Sequence, residues 1–299
     1  MTSDVLDAQA VLARFAPTIT QTLERALPEA AGPSAKLFEA MRYSALAGGK
    51  RVRPALCLAS CEAVGGDAAR AASAAVALEL VHTYSLIHDD LPAMDDDDLR
   101  RGRPTNHKVY GEAIAILAGD GLLTLAFELI AEEIDGVEAP ARLEMVRVLA
   151  GAAGCRGMVG GQAVDLVSEG ADVDLPTLQF IHTRKTGSLF GGACRIGALA
   201  GGAGPRETTL LGKFGEKLGL AFQIVDDLLD ETGKAETMGK ASGKDRARGK
   251  VTYPRILGLE ESRRRVEELG RTAGDIAQEF GERGRALGAL ARFVVERSS

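Results

Sequence analysis

The sequence has few cysteines and lacks the cysteine patterns that mark a disulfide framework or a zinc site. Its four cysteines are Cys57, Cys61, Cys155 and Cys194, and they include no CxxC pair. Cys57 and Cys61 stand four residues apart in an apolar stretch, which is typical of small core residues. Disulfides and a zinc site are therefore both disfavoured.

The sequence also lacks a surplus of positive charge. Its net charge is -6 and its pI is near 5.4, which argues against a surface that tracks nucleic acid, although local basic patches are not excluded. The start, MTSDVLDAQAVLARF, has an early aspartate and no basic region before an apolar core, so it does not resemble a secretory signal. Charges interrupt the apolar runs before they reach a membrane-spanning length. We expect a soluble, cytoplasmic protein with no nucleic-acid partner and no stable membrane insertion.

Strand-like alternation of apolar and polar residues is scarce, and the dominant period is helical. Near the C-terminus, apolar residues recur at steps of seven, three and four, namely Leu259, Val266, Leu269, Ala273, Ile276 and Phe280. Most prolines fall between periodic segments, as at Pro33, Pro140, Pro176 and Pro205. The sequence shows no fixed-period repeat, no low-complexity linker and no shift in composition. These features predict an all-α bundle that forms one domain over residues 1–299.

One segment differs from the rest in composition. Residues 231–250 read ETGKAETMGKASGKDRARGK, with many glycines and charged residues and little apolar content. This composition predicts a mobile, basic surface loop.

Two aspartate-rich segments carry most of the chemical information. Residues 88–105 read HDDLPAMDDDDLRRGRPT, with six aspartates and then three arginines, and they lie between two apolar stretches. A block of like charge is usually a solvated face. Here both flanking stretches are apolar enough to be buried, so the charges require partners.

The second segment, residues 221–233, reads AFQIVDDLLDETG. On a helix Asp226 and Asp230 project from one face about one turn apart. Asp89 and Asp95 are six residues apart and would lie on different faces of a regular helix, but Pro92 favours a bend that lets them converge. Carboxylates around one cavity suit magnesium, which takes one or two of them and completes its shell with water and phosphate oxygens.

Each aspartate segment alone is more often an exposed charged face than a metal site. Two of them, each after an apolar run and each followed by Lys or Arg, favour metal binding. An EF-hand calcium loop fits poorly, because residues 95–98 lack the required alternation and the central glycine.

Basic residues accompany the aspartates. Residues 48–54 read GGKRVRP, which matches neither a Walker loop nor a dinucleotide fingerprint. Arginine suits bidentate contacts with phosphate, and lysine acts as a point charge. Any one of these basic residues alone would be interpreted as an exposed surface residue. Together with two aspartate clusters of the metal-binding type, they predict a polyphosphate ligand.

Six motifs in order are similar to those of the trans-type isoprenyl diphosphate synthases, most of all the bacterial farnesyl diphosphate synthase group. Besides the two aspartate-rich segments they are GGKRVRP, GMVGGQAVDL, HTRKTG and GKVTYP, which together span the chain from about Leu37 to the C-terminus. The resemblance implies an all-α fold of mostly antiparallel helices around a deep central cavity, usually in a homodimer. It also implies condensation of an allylic diphosphate with isopentenyl diphosphate.

The resemblance assigns roles residue by residue. It implies three magnesium ions, with metal ligands at the positions of Asp89, Asp90, Asp95, Asp226 and Asp230. The positions that contact the allylic diphosphate are Arg100, Lys185, Thr186, Gln223, Lys240 and Lys250. The positions that hold isopentenyl diphosphate are Lys50, Arg53, His82 and Arg101. Among all of these, the residues expected to carry catalysis are Asp89, Asp95, Arg100, Lys185 and Asp226.

The chemistry of such a site is charge stabilisation. Ionisation of a carbon–oxygen bond leaves an allylic cation and a diphosphate, and metals and guanidinium groups in a dry site stabilise the charge on the leaving group. The double bond of isopentenyl diphosphate then attacks the cation. In this family the final proton goes to the departing diphosphate, so no separate protein base is expected. His82 alone would be interpreted as a core histidine, but within the matched motif we assign it to the ligand.

Product length depends on the floor of the cavity. Tyr84 and Ser85 lie five and four residues before Asp89, roughly 6 to 8 Å along a helix. In this family an aromatic ring at that fifth position, combined with two extra residues in the first motif, resembles farnesyl synthases. Farnesyl diphosphate is therefore the expected product, geranylgeranyl diphosphate is the alternative, and deeper residues such as Leu80 can also set the floor.

Three other classes are weighed against this interpretation. A metal-dependent phosphohydrolase of the HD type would use His88 and Asp89, but it needs several further histidines, and only His82, His107 and His182 are left. A catalytically inactive relative that regulates a partner would have lost aspartates or basic ligands. A terpene cyclase would not need the second diphosphate site at Lys50, Arg53 and His82.

Overall fold

A computed structural model describes residues 6–132, 134–232 and 251–296. Over these residues the prediction of an all-α fold is confirmed. The helices are α1 (Ala8–Ala26), α2 (Ala35–Ala45), α3 (Val52–Ala63), α4 (Ala72–Asp89), α5 (Asn106–Tyr110), α6 (Glu112–Ala131), α7 (Ala139–Ala153), α8 (Met158–Val167), α9 (Leu175–His182), α10 (Ser188–Ala200), α11 (Pro205–Glu231), α12 (Tyr253–Leu257), α13 (Leu259–Gln278) and α14 (Arg285–Glu296).

Short irregular elements join these helices. Ala68–Ala71 and Gly281–Gly284 are turns of 3-10 helix, and Thr183–Gly187 is a π-helical turn between α9 and α10. Strands β1 (Leu99–Arg100) and β2 (Arg103–Pro104) form a small antiparallel ribbon, in which Leu99 faces Pro104. The ribbon therefore projects two arginines of the first aspartate-rich segment from a defined backbone.

Capping and proline placement explain where several helices begin. The Asp7 side chain accepts a hydrogen bond from the backbone of Gln9 at the start of α1, and Asp174 does the same for Thr177 at the start of α9. Such caps satisfy backbone donors that have no partner within the helix. Pro140, Pro176 and Pro205 lie in the first turns of their helices, where a missing amide hydrogen costs nothing.

The centre of the fold is α4, on which every residue from Ala74 to Val81 is buried. A helix that is apolar on all sides belongs inside the protein. Helix α4 packs on α3 and α6, while α10 packs on α3, α7 and α11. Because only residues 201–204 connect α10 to α11, the two helices are antiparallel neighbours. Buried side chains from α1 to α14 form one contiguous hydrophobic core.

Two apolar segments form helices of different character. The periodic segment near the C-terminus is the amphipathic helix α13, which buries Val266, Leu269 and Ala273. Within α6 only Asp120 and Glu128 interrupt the apolar run after Glu112. By length and composition, α6 is apolar enough to cross a membrane, although a core helix of a soluble protein meets the same criteria.

Candidate active site

A cavity of about 1190 Å³ opens beside α4 and reaches the π-helical turn and α11. Its lining contains the following predicted site residues: Lys50, Arg53, His82, Tyr84, Ser85, Asp89, Asp95, Arg100, Arg101, Lys185, Thr186, Gln223, Asp226 and Asp230. Segments from distant parts of the sequence thus converge on one volume. Lys240 and Lys250 lie outside the described residues, as does nearly all of the loop predicted at residues 231–250.

The first carboxylate group forms where α4 ends. Asp89 is the last residue of the helix, the chain bends at Pro92, and the amide of Asp95 donates to the carbonyl of Asp89 at 2.7 Å. This closed turn confirms that the two aspartates converge. Burial raises the pKa of Asp89, and nearby Asp95 raises it further against the opposing effect of Lys185. The site therefore favours a cation between these carboxylates.

Asp90 occupies a different place from its neighbour and does not line the cavity. Its side chain is 5% exposed, and it accepts hydrogen bonds from Arg100 Nε at 2.7 and 2.8 Å. Arg100 also lies 3.7 Å from Asp97. Successive residues of a helix point about 100° apart, which explains why only one member of the Asp89–Asp90 pair faces the cavity. This geometry disfavours the prediction that Asp90 is a metal ligand and makes it the residue that holds Arg100.

The second carboxylate group lies on α11. Asp226 and Asp230 both line the cavity, as their helical spacing predicts. Gln223, one turn earlier, accepts a hydrogen bond at 2.9 Å from the hydroxyl of Thr186 on the π-helical turn. This bond fixes the second carboxylate group relative to the turn that carries Lys185.

Asp227 lines the cavity as well, but its carboxylate bonds to the backbone of α12. It is buried and accepts a hydrogen bond from the backbone amide of Tyr253 at 3.0 Å, at the start of α12. The Tyr253 ring stacks on His182, with 5.2 Å between ring centroids. Burial lowers the pKa of His182 to about 3, so this ring is neutral although it lies 3.6 Å from Asp227. The three residues join α9, α11 and α12, and His182 and Asp227 also line the cavity.

The π-helical turn carries the third set of polar groups. Lys185 donates to Asp165 of α8 at 2.6 Å, and both residues line the cavity. At Gly161 of α8 there is no room for a side chain, because a Cβ atom would lie 2.3 Å from the backbone nitrogen of Lys185. The close contact between α8 and the turn therefore depends on this glycine.

Cations dominate another part of the lining. Burial lowers the pKa of Arg53 to about 10, and its Nε has no hydrogen-bond partner among the described residues. Burial and then neighbouring Arg53 hold the pKa of His82 well below its usual range, so His82 is neutral. Arg101 donates to the carbonyl of Gly48, which brings the β1–β2 ribbon against the turn before α3. This group of cations can bind an anion of high charge.

The rest of the cavity is apolar. Tyr84 is buried and lines the wall one turn before Asp89, where its ring contacts His88 edge-on at a centroid distance of 5.7 Å. Phe190 and Ile116 also contribute to this wall. Leu80, one turn deeper on α4 than Tyr84, is fully buried and does not line the cavity. An anionic end and an apolar end in one cavity fit an amphiphilic ligand.

The histidines do not form the site of an HD-type phosphohydrolase. His88 is hydrogen-bonded through Nε2 to the carbonyl of Ile116 at 3.1 Å. Among the described residues no group of three or more His, Cys, Asp or Glu side chains is close enough to hold a metal with protein ligands alone. A metal that completes its shell with water and phosphate oxygens needs no such group.

The fold and cavity define a class of protein: an all-α protein with two carboxylate groups, a cluster of cations and an apolar wall around one volume. The model of the protein family described as "Polyprenyl synthetase" matches residues 34–282. The chain belongs to this family, the trans-isoprenyl diphosphate synthases, which are prenyltransferases. The resemblance inferred from the six motifs is confirmed.

Relatives of known name include plant enzymes. A chloroplastic geranylgeranyl pyrophosphate synthase of Catharanthus roseus is 50% identical over 88% of this chain and 74% of its own length. Geranylgeranyl pyrophosphate synthase 12 of Arabidopsis thaliana is 51% identical over 90% of this chain and 75% of its own length.

Solved structures include bacterial relatives. An FPP/GFPP synthase of Zymomonas mobilis is 39% identical with a TM-score of 0.86, covering 96% of this chain and 99% of that one. A geranyltransferase of Legionella pneumophila is 32% identical with a TM-score of 0.85, covering 97% of each chain.

Several polar residues of the cavity were not predicted. They are Glu79, Asp97, Asp165, His182 and Asp227. Glu79 had a usable signal, because it is a lone carboxylate within the apolar stretch AASAAVALELV. Asp165 and His182 lie within recognised motifs, but only the folded structure shows which partners they contact.

Proposed function

We propose that this protein condenses isopentenyl diphosphate with allylic diphosphates. The observation that supports this most directly is the meeting of Asp89, Asp95, Asp226 and Asp230 with Lys50, Arg53 and Arg101 in one cavity that has an apolar wall. When two diphosphates occupy one site, carboxylates are needed to bind metal ions, and basic side chains are needed to bind phosphate oxygens directly. A terpene cyclase, which takes one diphosphate, would leave the second cluster unused.

The carboxylate groups fit magnesium. Oxygen ligands from one or two aspartates per ion, with phosphate oxygens completing the shell, are what Mg²⁺ prefers. The raised pKa of Asp89 indicates a buried carboxylate that gains from a nearby cation. When bound, Mg²⁺ would neutralise charge that develops on the departing diphosphate. We propose Asp89, Asp95, Asp226 and Asp230 as its ligands, and three ions as the complement.

The chain's own residues bind and orient the substrates. Arg100, Lys185, Thr186 and Gln223 are proposed to hold the allylic diphosphate, with Arg100 fixed by Asp90. Lys50, Arg53, His82 and Arg101 are proposed to hold isopentenyl diphosphate. His82 is neutral, so it can donate a hydrogen bond without adding charge. Lys240 and Lys250 remain predictions.

Product length has two candidates. The plant relatives that are about half identical to this chain are named geranylgeranyl synthases, which favours a twenty-carbon product. Farnesyl diphosphate is the second candidate, because the buried Tyr84 ring lines the wall one turn before Asp89, where it would stop a growing chain.

The proposed assembly is a homodimer built on α6. Leu117 on this helix is 51% exposed and does not line the cavity, and α6 is apolar along most of its length. A second copy of the chain would cover this face. Leu117→Lys should then shift the mass in light scattering toward the monomer. Val167→Lys is the matched control, because Val167 is 81% exposed on α8. Equal masses for both variants would exclude α6 as the interface.

One experiment tests the reaction and the product together. Purified protein and magnesium are incubated with isopentenyl diphosphate and, separately, with dimethylallyl, geranyl or farnesyl diphosphate, and prenyl products are identified by mass. Twenty-carbon product from farnesyl diphosphate supports the first candidate, and accumulation of fifteen-carbon product supports the second. Release of phosphate without condensation would refute the proposed function.

A further inference from the structure

Glu79 is a carboxylate in the most deeply buried part of the molecule. It lies on α4 between Leu78 and Leu80, within the stretch in which every residue is buried, and it is only 2% exposed. Its side chain reaches the lining of the cavity. A buried charge requires a partner, because removing it from water is costly.

Arg51 is that partner. Arg51 Nη1 donates to Glu79 Oε1 at 2.5 Å, and Arg51 Nη2 donates to the carbonyl of Ala45 at 2.6 Å. The backbone of Arg51 is left-handed, with φ of 49°, in the position that precedes the first residue of α3. A non-glycine residue keeps this conformation only when its contacts hold it there. Glu79 therefore helps to fix the turn at residues 46–51.

This turn carries one proposed diphosphate ligand and contacts another. Lys50 immediately precedes Arg51, and the carbonyl of Gly48 accepts a hydrogen bond from Arg101. Gly49 has φ of 122°, and a Cβ atom there would lie 2.6 Å from the Arg101 guanidinium. A displacement of the turn would thus move Lys50 and Arg101 together.

Glu79 also acts on the cations through space. Burial lowers the pKa of both Arg53 and Arg101, and the negative charge of Glu79 is the largest opposing effect on each. One carboxylate among four cations limits their mutual repulsion and still leaves net positive charge for a diphosphate.

We propose that Glu79 is a positioning residue for the isopentenyl diphosphate subsite. It holds Arg51 and the 46–51 turn, and so keeps Lys50, Arg53 and Arg101 in place before the substrate arrives. Glu79 itself does not contact the diphosphate, since like charges repel. This inference rests on the proposed function, because it assumes that these cations bind isopentenyl diphosphate.

The test is Glu79→Gln, which keeps the shape of the side chain and removes its charge. We expect the KM for isopentenyl diphosphate to rise about tenfold or more, while the KM for the allylic diphosphate stays within about twofold. The matched control is Glu62→Gln, because Glu62 lies on α3 and pairs with Arg14 at 2.6 Å outside the cavity. This control should leave both constants unchanged.

A second variant removes the other partner of the Arg51–Glu79 ion pair. Arg51→Gln should produce the same split between the two KM values, and the double variant should add little to either single one, because the two residues act as a unit. Arg51→Gln also serves as the test if Glu79→Gln does not fold. Equal rises in both KM values, or an unchanged KM for isopentenyl diphosphate, would overturn the inference.

Calorimetric binding of isopentenyl diphosphate separates this inference from the proposed function. If the wild-type protein binds isopentenyl diphosphate without condensing it, the proposed function fails, and weaker binding by Glu79→Gln still supports the positioning role. If the wild-type protein does not bind isopentenyl diphosphate, both fail.

Discussion

Arg100 donates from Nε to both carboxylate oxygens of Asp90, at 2.7 and 2.8 Å. The neighbouring Asp89 lines the cavity. Two adjacent and chemically identical residues therefore have different surroundings, one facing the cavity and the other holding a guanidinium group. Replacing each in turn should have different consequences.

Asp90→Asn should destabilise the protein and misplace Arg100. Breaking a buried ion pair by removing one charge costs about 3 kcal/mol of unfolding free energy. Turnover should fall as well, because Arg100 lines the cavity. Denaturant unfolding and steady-state kinetics measure the two effects.

The control for this variant is Asp98→Asn. Asp98 pairs with Lys108 at 2.7 Å, but both side chains are exposed. Exposed pairs contribute about 0 to 1 kcal/mol, so this variant should resemble the wild type. Equal losses for the two variants would contradict the role assigned to Asp90.

Asp226→Ala should mainly impair catalysis, whereas Asp227→Ala should mainly lower the stability of the fold. Loss of Asp226 should lower kcat by about 10² to 10³, because charge on the departing diphosphate would be less well stabilised. It should also raise the magnesium concentration needed for half-maximal rate. Loss of Asp227 should instead lower the unfolding free energy by about 1 to 3 kcal/mol, since the Tyr253 amide loses its partner.

The comparison rests on kinetics at several magnesium concentrations together with urea unfolding. If Asp227→Ala changed the magnesium dependence as much as Asp226→Ala did, Asp227 would have to be counted among the metal ligands.

Tyr84→Ala should lengthen the product by at least one five-carbon unit relative to the wild type. The Tyr84 ring is buried in the cavity wall, and its removal extends the space along α4. Tyr84→Phe keeps the ring and should leave the product unchanged. Mass spectrometry measures the length of the prenyl products. Identical products from the wild type, Tyr84→Ala and Tyr84→Phe would show that another residue forms the floor.

Gly161→Ala should reduce activity by displacing the π-helical turn. The added methyl group would lie 2.3 Å from the Lys185 nitrogen. Gly151→Ala is the matched control, because no atom lies within 4 Å of a Cβ built there. In helix α7 that control should gain about 0.5 to 1 kcal/mol of stability. A fully active Gly161→Ala would mean that the turn tolerates movement.

The stability of the protein should depend on pH through His182. Its pKa is about 3 in the folded protein, against 6.5 ordinarily. Below pH 6.5 the unfolded chain therefore binds a proton that the folded protein does not. The unfolding free energy should fall as the pH falls from about 6.5 toward 3, by up to about 1.4 kcal/mol per pH unit. Above pH 6.5 the contribution of His182 to stability is complete.

The measurement is urea unfolding between about pH 5 and pH 7, above the range in which most carboxylates titrate. His182→Gln should show a shallower slope than the wild type. His82→Gln should change the slope in the same direction, since burial also lowers the pKa of His82. An unchanged slope for His182→Gln would show that folding does not lower the pKa of this ring.

The fold and the convergence of Asp89, Asp95, Asp226 and Asp230 on one cavity could be predicted from the sequence, because helical periodicity and spacing are local properties. Asp226 and Asp230, one turn apart, had to share a face. Pro92 indicated the bend that closes Asp95 onto Asp89, which the 2.7 Å backbone hydrogen bond confirms. Motif order supplied the predicted basic residues of the cavity lining, but not Glu79 or Asp165.

Contacts between side chains that are far apart in the sequence could not be predicted from local patterns. Nothing in the spacing of Asp89 and Asp90 says which one meets Arg100, since that depends on how α4 ends and how the β1–β2 ribbon folds back. The exposed apolar face of α6 was also missed, because composition alone does not show which side a neighbouring helix covers.

Three non-glycine residues in the described part of the chain have positive φ angles: Arg51 at 49°, Asp96 at 48° and Arg101 at 54°. Arg51 and Arg101 line the cavity, and Asp96 follows Asp95, which also lines it. Such conformations cost of order 1 kcal/mol each and persist only when surrounding contacts impose them. Glycine at any of these positions would relieve the strain and also remove a charge. Selection for heat resistance and selection for turnover would therefore oppose each other at Arg51 and Arg101, while the helical scaffold remains free to become more stable.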